Sequence, residues 1–144
     1  MVTRSDRATA PVADLALRTG IVGLTIATAY IHSTLGGMLL TLNAAGYVVL
    51  AAAMVAPLTF LANVRWLVRL ALIGYTGATI VGWYFVGPRY DTAYLAKGIE
   101  LVLIALLVVE SYHNEGSPVR IARRLAGLAA RAVPGRAARG SGAA

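Results

Sequence analysis

From Thr19 to Ala56 the chain carries no Asp, Glu, Lys or Arg. A helix crossing a hydrocarbon core of about 30 Å needs about 20 apolar residues. The stretch is too long for one crossing and suits two. Polar residues and a glycine pair interrupt it at His32-Ser33-Thr34-Leu35-Gly36-Gly37. That break predicts a first span over 14–33 and a second over 37–56, closed by Pro57. So short a connection predicts an antiparallel hairpin.

Leu58 to Trp66 reads as a mixed linker. A third apolar run over 67–86 is stopped by Gly87-Pro88, where proline removes a helical hydrogen bond. A fourth runs over 93–113. Ser117-Pro118 then reads as an N-cap with proline at the first helical position. In the segment 117–133, Ile121, Leu125, Leu128 and Ala132 share one face, with Arg120, Arg124 and Arg131 off it. The pattern predicts an amphipathic helix lying on a membrane surface through Arg120, Arg123, Arg124 and Arg131. Residues 134–144 are Gly, Ala, Ser and Arg after Pro134, a composition that predicts disorder. The predicted fold is all-α. It has an N-terminal tail (1–13), a four-span membrane domain (14–113) with antiparallel helices, a short amphipathic helix and a basic tail.

Composition supports the same class. Of 144 residues, 58% are hydrophobic and only 13% charged, about half the charge content usual in a soluble domain. The absence of cysteine excludes disulfides and thiolate chemistry. The net charge of +7 raises the possibility of nucleic acid, but the basic residues flank apolar runs instead of forming a stripe interleaved with aromatics. No nucleic-acid partner is expected.

Charge also sets orientation. Eleven of the 13 basic residues fall on one side: Arg4, Arg7 and Arg18 before the first span, Arg65 and Arg69 in the second connection, and six Arg after the fourth span. Only Arg89 and Lys97 fall on the other. The positive-inside rule then places both termini in the cytoplasm. With an Ala-, Gly- and Arg-rich composition, the expected location is a prokaryotic plasma membrane whose anionic inner leaflet is one partner. Tyr30, Trp83, Tyr84, Tyr90 and Tyr94 fall at the outer interface, and Trp66 and Tyr112 at the inner one. A competing reading makes the first span a signal peptide cleaved after Ala27-Thr28-Ala29. It requires a long n-region, and the apolar stretch flows straight on into the Gly-Gly turn.

Polar groups in a bilayer are costly and face the bundle interior, so each is a candidate for function. Counting a rise of about 1.5 Å per residue places Asn43, Thr79 and Glu100 about 10 Å below the outer surface. Thr25 or Thr28 reaches a comparable level. Tyr47 lies one turn below Asn43 on its face, Lys97 one turn above Glu100 at i, i+3 spacing, and His32 at the rim. Two readings of this layer stand. It is either a ligand, ion or proton site, or a structural arrangement. In the structural case Lys97 neutralises Glu100 while snorkelling outward, and Asn43 bonds between helices for about 1 kcal/mol. Near the inner end, Arg69 and Glu110 lie level and predict a structural ion pair.

His32 and His113 fall at opposite surfaces, about 30 Å apart, so they cannot be the two axial ligands of one heme. No His-carboxylate spacing suits a metal, and no serine sits in a nucleophile elbow. No cofactor is expected. Rows of small residues at Gly74, Ala78 and Gly82, and at Gly23 and Ala27, predict close helix packing, within the chain or between copies. The leading functional expectation is a non-enzymatic subunit or scaffold of a membrane complex, or a homo-oligomer. The alternative is a small transporter or channel that uses Asn43, Lys97 and Glu100.

Overall fold

The computed structural model describes residues 4–57 and 59–116, together with residues 120, 123, 125–127 and 129. Side chains are described from Val12 in the first helix and from Arg65 in the third. Among the described residues the fold is all-α, with four long helices: α1 (Arg4–Thr34), α2 (Met38–Val55), α3 (Thr59–Val86) and α4 (Asp91–Glu115). The chain divides into two compact units, Met1–Ser111 and Tyr112–Ala144.

The helix ends follow from local chemistry. The last carbonyls of α1 lack intrahelical donors, and side chains supply them. Ser33 Oγ donates to Tyr30 O at 2.7 Å and Thr34 Oγ1 to Ile31 O at 2.8 Å. Gly36 and Gly37 then take φ of 74° and 86°, a region costly for residues with a Cβ, and the chain reverses within three residues. Pro57 follows the end of α2, where Ala56 N–H still bonds to Ala52 O at 2.9 Å. Asp91 sits in the first turn of α4, where a carboxylate suits the helix dipole. In the second unit, Gly116 with φ 75° ends α4, its N–H on Tyr112 O at 3.2 Å.

Two helices extend beyond the apolar runs that announce them. Residues from Thr59, expected as linker, are already helix, and α1 begins at Arg4 inside the expected tail. Hydropathy marks what can lie in hydrocarbon, whereas a helix ends where its hydrogen bonds end. The segments long and apolar enough to cross a membrane are Val12–Thr34, Met38–Val55, Arg65–Val86 and Asp91–Asn114.

Partners descend along α4 as they ascend along α3: Arg69 meets Glu110, Thr79 meets Glu100, and Trp83 meets Tyr94. The two helices are therefore antiparallel. The same reversal relates α1 to α4, through Arg18 with Glu110 and His32 with Glu100. Each helix buries one face at helical spacing. On α1 that face is Ile21, Thr25, Thr28, Ala29 and His32; on α2, Ala44, Tyr47, Ala51 and Met54. On α4 it runs Ala93, Ala96, Lys97, Glu100, Leu103, Leu107 and Glu110.

The interior mixes an apolar core, with Ile21, Leu72, Leu103 and Leu107, with polar side chains, and many large apolar residues lie outside. Buried positions include Thr25, Thr28, His32, Arg69, Thr76, Lys97, Glu100 and Glu110, while Leu39, Leu42, Val49, Val81, Phe85, Leu95 and Leu101 are exposed. So many large apolar side chains on the outside are compatible with a membrane neighbour.

Gly74 and Gly82 of the small-residue row on α3 are exposed, and a Cβ at either would meet nothing within 4 Å. The row therefore seats no helix of this chain. The packed face of α3 is set by Arg69, Leu72 and Thr76, and the row lies off it. Close approach occurs instead at Gly46, where a Cβ would overlap the phenol of Tyr75.

Candidate functional site

All four helices send polar side chains to one level near the end of the bundle that carries the α1–α2 and α3–α4 turns. Glu100, fully buried, is the hub. Its Oε2 accepts from Lys97 Nζ at 2.7 Å and from Thr79 Oγ1 at 3.0 Å. Its Oε1 lies 3.5 Å from His32 Nε2. Thr79 has one hydroxyl proton and a second acceptor, Thr76 O at 2.8 Å. When Thr79 donates to Glu100, Tyr47 donates to Thr79 across 3.1 Å, giving a two-hydroxyl relay into the carboxylate.

Aromatic rings fix these groups. Tyr47 packs against His32 with centroids 5.7 Å apart and edge-on against Tyr75 at 5.0 Å. Tyr75 OH donates to Asn43 O at 3.0 Å, so the described hydrogen bond to Asn43 is made through its backbone. The absence of a Cβ at Gly46 lets the Tyr75 ring lie against α2. Thr25 and Thr28 are fully buried on α1; Thr25 Oγ1 donates to Ile21 O at 2.7 Å, and His32 Nδ1 lies 2.8 Å from Thr28 O.

The structure corrects one expectation. Lys97 does not snorkel to a wet interface; it is 8% exposed. Helix α4 already begins at Asp91, so Lys97 lies nearly two turns inside it. Its ammonium turns toward Glu100 and the Thr79 carbonyl, 3.5 Å away.

Above this network lies a cavity of about 550 Å³, a size typical of small-molecule sites. Leu35, Leu39, Leu42, Ala78, Trp83 and Ala96 give it apolar walls, and His32, Asn43, Thr79 and Lys97 contribute polar lining. The α3–α4 turn beside it is braced. Trp83 Nε1 donates to Pro88 O at 2.8 Å, Arg89 stacks over the Trp83 ring at 4.5 Å, and Arg89 Nη2 donates to Tyr84 O at 2.7 Å.

A second polar cluster lies at the opposite end. Glu110, 1% exposed, meets Arg69 through Nη2–Oε1 at 3.2 Å and Nε–Oε2 at 3.0 Å, and Arg18 Nε at 3.2 Å. Arg18 was read from sequence only as a topological charge; its place in this cluster is new. Tyr75 and Thr76 were also missed. Thr76 lies three residues before Thr79 and seven after Arg69, so helical spacing from those two could have found it. Of the surface arginines, Arg120 and Arg123 are exposed on helix in the second unit, and Arg124 and Arg131 lie outside the described residues, as do residues 134–144. Among the described residues, no group of three or more His, Asp or Glu is placed to hold a metal ion.

No family model matches the chain, and neither the curated proteins nor the solved structures compared with it include a similar one.

Proposed function

We propose that this is an integral membrane protein that binds, and moves or presents, a small and mostly apolar molecule through the cavity at one end of its bundle. Both termini lie in the cytoplasm, so the cavity opens in the outer half of the membrane, and anionic lipid at the cytoplasmic face is a partner. The observation that carries this reading is the junction of an apolar cavity with a buried polar network drawn from four helices. Polar groups that served packing alone would gain nothing from an adjoining cavity. A few fixed polar groups at the base of apolar walls are what orient a ligand.

Trp83 lines the cavity, so binding is read from its fluorescence in a Trp66→Phe background in lipid nanodiscs. A panel of small apolar molecules should quench Trp83 saturably. Ala78→Phe, at an exposed wall position, should weaken quenching at least tenfold. Quenching that neither saturates nor responds to Ala78→Phe would overturn the reading. Flux of the bound molecule in liposomes then separates transport from presentation.

The outward row Gly74, Ala78 and Gly82 supports a second reading, a subunit of a membrane complex or a homo-oligomer. Co-purification with mass spectrometry tests it directly.

A further inference from the structure

We infer that the molecule taken by the cavity carries an anionic head, a carboxylate or a phosphate, on an apolar body; the inference rests on the binding reading above. It begins with a proton count. His32 Nδ1 lies 2.8 Å from the Thr28 carbonyl, which can only accept, so Nδ1 carries a hydrogen. The other ring nitrogen, Nε2, faces Glu100 Oε1 at 3.5 Å. That oxygen is buried and has no hydrogen-bond donor among the described residues. A bare Nε2 there would set one lone pair against another inside the bundle. One proton, on either atom, turns the contact attractive.

Both placements give the same total. Imidazolium with carboxylate is neutral as a pair, and so is imidazole with carboxylic acid. Lys97 then stands as one net positive charge beside the pair. Among the described residues, the other groups in contact with the pair are Thr28 from α1, Tyr47 from α2 and Thr79 from α3, none of which is a carboxylate.

Lys97 is buried yet lines the cavity. Of its three N–H groups, one meets Glu100 Oε2 and one approaches the Thr79 carbonyl at 3.5 Å. The remaining donor is available to a ligand. A buried cluster with one positive charge in excess is costly, and an anionic head in the cavity offsets it. The apolar body then lies between Leu39 and Trp83. An amine head would add a second positive charge at the same place. An alcohol would leave the first uncompensated.

The test uses the full-length protein in nanodiscs of neutral phosphatidylcholine, with Trp83 fluorescence in the Trp66→Phe background. The probes are decanoate, decyl phosphate, decanol and decylammonium. Decanoate or decyl phosphate should bind at least tenfold more tightly than decanol, and decylammonium most weakly; the better of the two anions identifies the head. Lys97→Met should reduce anion binding to the level of decanol. His32→Gln keeps a neutral amide toward Oε1 but removes the extra proton, so it should lower the anion preference without unfolding the bundle. Decanol binding as tightly as both anions, with no effect of either variant, overturns the anionic head while the cavity reading stands. Absence of saturable binding by all four probes, together with failure of the Ala78→Phe test, removes both.

Discussion

His32 presents Nε2 to Oε1 of Glu100 at 3.5 Å while its Nδ1 hydrogen goes to the Thr28 carbonyl 2.8 Å away. The ring's tautomer is thus set by its own helix, one turn back, and not by the carboxylate it faces. Nitrogen NMR of the histidine-labelled protein should show Nδ1 of His32 protonated. A resonance pattern with hydrogen on Nε2 alone would contradict the geometry.

Lys97 and Glu100 are both buried, so the pair should behave as a unit. Glu100→Gln leaves an ammonium buried without its carboxylate and should destabilise by about 3–5 kcal/mol. The double change Lys97→Met with Glu100→Gln should cost less than either single change. Thermal unfolding in detergent measures all three, and simple additivity would show that the two charges do not interact.

The two arginines on Glu110 should differ. The Arg18 side chain is 43% exposed and Arg69 only 3%. Arg18→Ala should cost about 0–1 kcal/mol, in the range of solvent-screened pairs. Arg69→Ala, which opens the buried side of the cluster, should cost about 3–5 kcal/mol. Equal losses would mean that Arg69 contributes no more than a surface charge.

Gly46→Ala should force the Tyr75 ring away from α2 and break its bond to the Asn43 carbonyl. Overpacking of this kind costs about 1–3 kcal/mol. Tyr75→Leu in the same chain removes the obstructing ring and should recover most of the loss. Failure of that rescue would place the strain elsewhere.

Orientation can be read with reporter fusions. Fusions after Asn63 and after His113 should report cytoplasm, and one after Asp91 the exterior. The expectation rests on the arginines that flank the inner ends. An exterior signal after His113 would invert the assignment of the cavity to the outer half.

Much of this architecture follows from counting. Helical rise is fixed, so the depths of Thr79, Glu100 and Asn43 can be measured along the chain without knowing how the helices pack. Rotation about each axis is another matter. A four-residue repeat at Gly74, Ala78 and Gly82 defines a face but not what it faces, and that face turned outward. Lys97 looked close enough to a helix end to stay wet. Its burial depends on Thr79 and Glu100 lying where α3 and α4 meet, a contact between residues 21 apart in sequence. Arg18 escaped notice because a charge before a span already has a topological explanation. Its reach to Glu110, on the last helix of the bundle, depends on tertiary packing.

The burial of polar side chains beneath an apolar exterior has an evolutionary consequence. At exposed positions such as Leu39, Val49, Val81 and Leu101, one apolar residue serves nearly as well as another, so drift there is almost free. The buried polar positions have few acceptable replacements, because each must supply a donor, an acceptor or a charge to a neighbour on another helix. Relatives of this chain would diverge over most of their length while holding a sparse set of positions: His32, Tyr47, Thr79, Lys97 and Glu100. The spacing of those residues across four apolar segments is therefore a better signature of common descent than overall identity.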